Sequence, residues 1–220
     1  MADNHPSKQE LKDDQFVDWI LEAADFVRAK SQQFLSGAVG VVLVIAGIAY
    51  YNKTQADARV EAAGLFGEAM IKDDDGRTEE AIQMGEKVLK EYAGTPAAAQ
   101  ATLFLANRHY ALGRYGEAQK LYERYLSDYG EVDVLAFAAR NGLASCAEAQ
   151  GDYRQAAAKF QEAATGSGGN TQGAVALLEA ARCFGLAGDT VSQKGILNQI
   201  TRDFSESPAA ARAREELSML

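Results

Sequence analysis

Apolar residues recur at helical spacing along most of the chain, and glycines and prolines interrupt that spacing at intervals. Only three prolines occur in 220 residues, so few positions oppose a helix. We therefore predict an all-α protein. After residue 52 the predicted helices are Thr54 to about Asp73, Thr78 to Tyr92, Ala97 to Leu112, Tyr115 to Tyr129, Val132 to Gln150, Tyr153 to Thr165, Gln172 to Ala187, Thr190 to Phe204 and Pro208 to Leu220.

One turn-and-helix signature occurs four times in this pattern. Each copy begins with a glycine and continues into a helix with a polar first turn. The glycines stand 37, 38 and 37 residues apart, at Gly76, Gly113, Gly151 and Gly188. A nearly constant period of this length is typical of a solenoid, in which helical hairpins stack on one another.

Two of the predicted helices share a start signal. Thr95-Pro96 and Ser207-Pro208 each place an N-cap hydroxyl before a proline at the first helical position. The two prolines are 112 residues apart, which equals three repeat periods. Both positions therefore begin the first helix of a hairpin. The predicted fold is a solenoid of about four helical hairpins with a C-terminal capping helix from Pro208.

The eighteen residues from Phe34 to Tyr51 include no charged side chain. As a helix they would be about 27 Å long, close to the hydrocarbon thickness of a bilayer. A buried core helix is one alternative, although a solenoid needs no helix that is apolar all round. A cleaved signal peptide is another alternative, since Gly47 and Ala49 have the spacing of a cleavage site. However, the 33-residue segment before Phe34 is longer and more acidic than the N-terminal region of a normal signal peptide. We predict an uncleaved transmembrane helix over 34–51.

This span divides the chain into three parts. Residues 1–33 form a tail with an amphipathic helix from Asp14 to Lys30, residues 34–51 form the transmembrane helix, and residues 52–220 form the repeat domain. The amphipathic helix either docks on a membrane partner or rests on lipid headgroups. Basic residues near the span are equal on its two sides, so they do not fix its orientation. The long domain after an early span predicts a cytoplasmic tail and an exported repeat domain.

Composition limits the partners. The formal net charge of −9 repels the phosphate backbone of nucleic acids, so we do not expect them as partners.

Cys146 and Cys183 each stand five residues before a repeat glycine, and we predict buried thiols, with a bridge between them as the alternative. The acidic triplet from Asp73 to Asp75 lacks the alternating ligand spacing of a calcium loop.

The sequence contains no catalytic constellation. His5 lies in the tail, and His109 has no histidine or cysteine at ligand spacing, so the parts of a metal site or a nucleophilic triad are missing. The glycines mark helix-helix turns and do not form a phosphate-binding loop. We predict a protein that is not an enzyme and has no cofactor, metal or small-molecule substrate.

Small and aromatic residues take regular positions in the second and third units. They are Leu105, Ala106, Tyr110, Gly113, Tyr115, Ala118 and Tyr122, then Leu143, Ala144, Gly151, Tyr153, Ala156 and Phe160. This pattern resembles the tetratricopeptide repeat. The match is weaker in the outer units, where Gly85 and Leu197 stand at the position of the aromatic residue, and the period exceeds the usual length of about 34 residues. With its acidic tail and single span, the whole chain resembles the YfgM-like ancillary subunits of the bacterial Sec translocon.

The resemblance implies an inner-membrane protein with a periplasmic, chaperone-like repeat domain. Its partners would be translocon subunits, a membrane-anchored periplasmic chaperone and exported clients. Some repeat domains of this class clamp a C-terminal carboxylate, but Leu103, Gly142 and Val175 stand at the clamp positions here, which disfavours that ligand. Alternatives are a scaffold for another envelope machine, in cell division or outer-membrane assembly, and an anchored enzyme of unrecognised type.

In a tetratricopeptide stack the first helices of the units line a concave face, and we predict that partner proteins bind there. Apolar anchors would come from Phe66, Met70, Leu103 and Tyr110. The full predicted groove comprises Phe66, Met70, Gln100, Leu103, Asn107, Tyr110, Asn141, Ser145, Glu148, Leu178 and Arg182.

Overall fold

The structure, a computed structural model, describes residues 18–23, 25, 31–130, 134–166 and 171–220. The chain divides into two compact parts, Met1–Ala56 and Asp57–Leu220. In the first part, residues 18–23 and 25 are helical, while the other positions of the predicted tail helix lie outside the described residues. The sequence also predicts a glycine-rich loop over 166–170, between the third and fourth units, and residues 167–170 of it lie outside the described residues as well.

Every secondary-structure element in the described ranges is a helix or a turn. Their bounds are α1 Ser31–Asp74, α2 Thr78–Glu91, α3 Pro96–Ala111, α4 Tyr115–Tyr129, α5 Val134–Ala149, α6 Tyr153–Gly166, α7 Thr171–Leu186, α8 Thr190–Asp203 and α9 Pro208–Met219. The bounds of α2 to α9 fall within two residues of the predictions. Helix α1 covers both the predicted span and the helix predicted after it.

Across the residues that the structure describes, none of the helices has a stretch long and apolar enough to cross a membrane. The transmembrane helix over 34–51 therefore stays a prediction.

The four repeat glycines follow the ends of α1, α3, α5 and α7, so each one closes the first helix of a hairpin. Their φ angles are positive, at 77° for Gly76, 73° for Gly113, 86° for Gly151 and 73° for Gly188. Glycine adopts this left-handed conformation without the steric cost of a Cβ. In the first turn the Gly76 amide donates to Asp73 and the Arg77 amide donates to Lys72, both at 2.9 Å. This Schellman pattern recurs at the other three glycines, so the signature repeats one helix-ending turn.

The two predicted N-caps are confirmed. The Thr95 hydroxyl accepts a hydrogen bond from the Ala98 amide at 3.2 Å, and the Ser207 hydroxyl accepts one from the Ala210 amide at 3.2 Å. Each hydroxyl also donates to the carbonyl three residues before it, at 2.8 and 2.7 Å. The two echoes in the sequence therefore build the same local structure at the starts of α3 and α9.

Helices α2 to α9 pack on one another in chain order, and residues 57–74 of α1 share a core cluster with α2. Together they form four hairpins and a cap. Hairpin 1 consists of residues 57–74 of α1 with α2, hairpin 2 of α3 and α4, hairpin 3 of α5 and α6, and hairpin 4 of α7 and α8. Helix α9 packs on both α7 and α8, which confirms the predicted cap. Alanine dominates the buried positions, and this small side chain lets neighbouring helices approach closely.

Candidate protein-binding face

The predicted groove residues lie on the first helices of the four hairpins. Helix α3 packs beside α5, and an ion pair joins α5 to α7, so these first helices form adjacent strips of one surface. Four of the predicted residues are exposed, namely Met70, Gln100, Asn107 and Arg182. Five are partly buried, namely Phe66, Tyr110, Asn141, Ser145 and Glu148. The other two, Leu103 and Leu178, are buried.

The burial of Leu103 and Leu178 corrects part of the predicted groove. Their exposed fractions are only 7% and 9%, and each belongs to a core cluster of the stack. The prediction placed them on the surface because it projected the repeat register onto the helices, where a shift of one residue turns a side chain by about 100°. Leu103 therefore does not provide an exposed apolar anchor.

Hairpins 1 and 2 meet through aromatic and charged side chains. The rings of Phe66 and Phe104 pack edge to face with centroids 5.9 Å apart. The guanidinium of Arg108 lies 5.7 Å from the centroid of the Phe104 ring and donates to Asp73 at 3.0 Å. Met70, on the same helix as Phe66, remains 40% exposed. This end of the surface thus offers Met70 next to a packed aromatic pair.

A buried tyrosine links hairpins 2 and 3 beneath the surface. The Tyr122 hydroxyl donates to Asn107 at 2.6 Å, and burial raises the pKa of Tyr122 well above its ordinary value. Its ring fills the space beside Gly142, where a Cβ atom would lie 2.2 Å from Tyr122 Cζ. Gly142 is therefore a packing position, although the resemblance led us to expect it at the position of a clamp residue. The neighbouring Asn141 Oδ1 is buried without a hydrogen-bond partner among the described residues.

An ion-pair network crosses hairpins 3 and 4. Arg182 donates to both carboxylate oxygens of Glu148, each at 2.7 Å, and to Glu179 at 2.7 Å. The hydrogen bonds to Glu148 raise the pKa of Arg182, against the lowering effect of burial. Burial raises the pKa of Tyr110, on α3, and among its neighbours the charge of Glu148 raises it further while that of Arg182 lowers it. The surface thus places a tyrosine, a carboxylate and an arginine from three successive first helices close together.

The repeat spacing contains a signal for these ion pairs that the sequence analysis missed. Asp73 and Glu148 each stand three residues before a repeat glycine, and each pairs with an arginine on the first helix of the next hairpin. The paired residues are 35 apart for Arg108 and 34 apart for Arg182, which is close to one repeat period. A search for opposite charges at that separation would have found both pairs. Tyr110 holds the corresponding position in hairpin 2.

The two cysteines of the repeat domain are not activated as nucleophiles. Burial raises the pKa of the Cys146 and Cys183 thiols to about 11, so both are protonated at neutral pH. Both are free and buried, which confirms the predicted thiols and excludes the bridge in this structure. Within the described part of the chain, no group of three or more histidine, cysteine or acidic side chains could hold a metal ion. The side chains that remain accessible are amides, a phenol, an ion pair and a thioether.

Comparisons with known proteins agree with this fold. A family model described as a tetratricopeptide repeat-like domain matches residues 25–195. No curated protein matches the chain significantly. Among solved structures, the tetratricopeptide-like repeats of a putative kinesin light chain from Podosopora anserina share 18% identity, with a TM-score of 0.54 over 66% of this chain and 75% of that one. BtubC (BKLC) from P. vanneervenii shares 17% identity, with a TM-score of 0.57 over 66% of this chain and 63% of its own. At these identities the likeness concerns the fold alone.

Proposed function

Because the chain belongs to the tetratricopeptide repeat-like domain family, whose fold serves as a scaffold for protein-protein interaction and is generally not enzymatic, we propose that it is a membrane-anchored protein-binding factor. Residues 34–51 hold it in the bacterial inner membrane, with the tail cytoplasmic and the repeat domain periplasmic. The repeat domain acts as a chaperone-like accessory of the Sec translocon. Its partners are translocon subunits, a membrane-anchored periplasmic chaperone and exported proteins.

The observation that carries the binding function is the prearranged surface along the first helices. Asn107 is held by Tyr122, and Arg182 is held by two carboxylates, so these side chains do not have to be ordered when a partner arrives. A surface that is ordered before binding loses less conformational entropy on association. Met70 and Tyr110 add accessible apolar area to this polar strip.

Support for the membrane anchor comes from the apolar part of α1 within Met1–Ala56. The seven Val, Leu and Ile side chains between residues 39 and 48 are each 53% to 66% exposed. Since consecutive helical positions point around the whole helix, apolar surface is offered in every direction. Water is an unfavourable environment for such a helix, whereas lipid chains would cover it on all sides.

Co-purification in mild detergent tests the binding function. We expect translocon subunits and an anchored periplasmic chaperone to be recovered with the chain, and their absence would overturn the translocon role. Met70→Glu should reduce recovery, because it places a charge beside the aromatic end of the surface. Val60→Glu is the matched control, since Val60 lies on the same helix, is 74% exposed and is outside the predicted groove. Equal recovery with the two variants would contradict the groove.

Protease accessibility tests the topology. When protease is added to spheroplasts, a periplasmic repeat domain is digested, while a cytoplasmic one is protected until the membrane is opened. Extraction with alkaline carbonate tests the anchor separately, because an integral protein stays in the membrane pellet. Release into the supernatant would contradict the span at 34–51.

A further inference from the structure

Helix α1 has an apolar face that none of the described residues covers. Val60, Gly64, Gly67 and Ile71 are spaced four, three and four residues apart, so they lie in one line along the helix. All four are exposed, with Val60 at 74% and Ile71 at 63%. A Cβ atom built at Gly64 or Gly67 would meet no described atom within 4 Å. We call these four residues the outer face of α1.

The outer face lies opposite the face with which α1 packs on its own stack. Ala62 and Ala69 follow Val60 and Gly67 by two positions, which is about 200° around a helix. Both alanines are 0% exposed, and Ala62 belongs to the core cluster that α1 shares with α2. The core therefore accounts for only one side of this segment. A line of exposed apolar positions on the other side is typical of a helix that packs on a partner.

The two flanks of the outer face carry opposite charges. Arg59 comes directly before Val60, whereas Glu61 comes directly after it and Glu68 directly after Gly67. One position turns a helix by about 100°, so the arginine lies on one flank and the two glutamates lie on the other. All three charged residues are exposed.

This charge pattern is complementary to a second copy of the same helix in parallel orientation. In a parallel pair with a twofold axis, each flank faces the opposite flank of the other copy, which brings Arg59 to the glutamate flank. In an antiparallel pair each flank faces itself, so Glu61 of one copy would approach Glu68 of the other and repel it. Gly64 and Gly67 allow the two backbones to approach closely at the centre of a parallel pair, as small residues do between membrane helices.

We propose that the outer face of α1 binds the same face of a second copy in parallel, so that the anchored chain is a homodimer. The inference rests on the anchor of the proposed function, because two copies held in one membrane through 34–51 begin this segment from the same side. Anchoring also raises the effective concentration of one copy near another, which opposes the repulsion between chains whose net charge is −9. The four residues of the outer face do not belong to the predicted groove, so self-association and partner binding use separate surfaces.

Oxidative crosslinking of the full chain in native membranes tests the pairing. Gly64→Cys places a thiol at the contact, and Lys87→Cys is the matched control, since Lys87 is exposed on α2. The native thiols of Cys146 and Cys183 are 0% exposed and add little background. With two differently tagged copies co-expressed, copper phenanthroline should give a product of twice the chain mass that carries both tags, on the order of tenfold more for Gly64→Cys than for the control. Equal yields, or a product that joins the chain to a different protein, would overturn the proposal.

A second pair of cysteine variants tests the parallel direction. Val60→Cys and Ile71→Cys should each crosslink to a copy with the same substitution. When one tagged copy carries Val60→Cys and the other carries Ile71→Cys, the doubly tagged product should be scarce, because the two positions are roughly 16 Å apart along a parallel pair. A higher yield from the mixed pair than from the matched pairs would show an antiparallel contact and overturn the proposal.

Added charge on the outer face separates self-association from the proposed function. In the Gly64→Cys background, Val60→Glu should lower the crosslinking yield on the order of tenfold, because the carboxylates of the two copies would meet. Gln83→Glu adds the same charge at an exposed position of α2 and should leave the yield unchanged. Crosslinked dimers that recover no translocon subunits would contradict the translocon role while supporting the pairing. Recovery of translocon subunits by a chain that never crosslinks to itself would overturn the pairing and leave that role in place.

Discussion

The junction between hairpins 1 and 2 and the junction between hairpins 2 and 3 fill equivalent space with opposite arrangements of side chains. Gly85 and Tyr122 each stand nine residues after a repeat glycine, on the second helices of hairpins 1 and 2. Gly85 faces Leu105 on the next first helix, whereas Tyr122 faces Gly142 there. Between hairpins 1 and 2 the large residue is Leu105, on the first helix of hairpin 2. Between hairpins 2 and 3 the large residue is Tyr122, on the second helix of hairpin 2.

The repeat therefore specifies a combined side-chain volume between neighbouring helices, and either helix can supply it. Protein interiors are packed closely enough that two large residues would not fit and two glycines would leave a void. The missing aromatic residue at position 85 therefore does not mean that hairpin 1 is poorly packed. Leu105 is 1% exposed and fills the space from the other side.

Tyr122→Ala should have the largest effect on stability, because it disrupts the junction between hairpins 2 and 3. The ring is 4% exposed, so its removal leaves a cavity, and the free energy of unfolding should fall by about 3–5 kcal/mol. Urea unfolding of the full chain in mild detergent, followed by helical circular dichroism, measures the loss. Tyr122→Phe keeps the ring and deletes only the hydrogen bond to Asn107, so it should lose about 1 kcal/mol. Similar losses in the two variants would contradict the role of ring volume.

Gly142→Ala should destabilise the same junction from the opposite side. The added Cβ would lie 2.2 Å from Tyr122 Cζ and 2.5 Å from Cε1, so the tyrosine ring has to move. We expect a loss of about 1–3 kcal/mol in the free energy of unfolding, as for other overpacked sites.

A double variant tests whether the two residues share one volume. Tyr122→Leu combined with Gly142→Ala makes the junction between hairpins 2 and 3 more like the junction between hairpins 1 and 2, where a leucine fills the space. Its loss should be smaller than the sum of the two single losses, because the smaller side chain makes room for the methyl group. Additive losses would contradict the shared volume.

Local features of this fold could be predicted from the sequence, while contacts between hairpins could not. The turn at Gly76 and the cap at Thr95 depend on residues within a few positions, so their pattern is visible along the chain. The partners of Gly85 and Gly142 lie 20 residues away in opposite directions, and no single helix shows which residue will meet them. The burial of Leu103 was missed for the same reason, since it depends on how α3 is rotated between its neighbours.

The sequence analysis placed the candidate groove residues on the first helices, where the structure has them, but it did not predict their contacts with one another. The first helices do carry exposed and half-buried residues such as Met70 and Tyr110. The pairing of Arg182 with Glu148 was not foreseen, because both were treated as separate contacts for a partner. Ionic groups on adjacent helices satisfy one another once the stack forms, which leaves less free charge than the sequence suggests.

Arg182→Gln tests whether a polar link also holds hairpins together. Its side chain is 42% exposed and that of Glu148 is 25% exposed, so solvent weakens their attraction. We expect a loss of about 1 kcal/mol or less in the free energy of unfolding, and a smaller loss at high salt. Urea unfolding at low and high salt measures both values. A loss as large as that of Tyr122→Ala would show that this ion pair contributes as much as packing, and would contradict the weak attraction expected here.

Gly85→Ala should have the smallest effect, although it is the same substitution as Gly142→Ala. The added Cβ would lie 3.0 Å from Leu105 Cδ2, the end of a flexible side chain that can move by a few tenths of an ångström. The contact cost is opposed by the higher helix propensity of alanine, which contributes about 1 kcal/mol within a helix. The net change in the free energy of unfolding should therefore lie within about 1 kcal/mol of zero. If Gly85→Ala destabilised the chain as much as Gly142→Ala, the two junctions would be equally tight, and the leucine-filled arrangement would not be the more tolerant one.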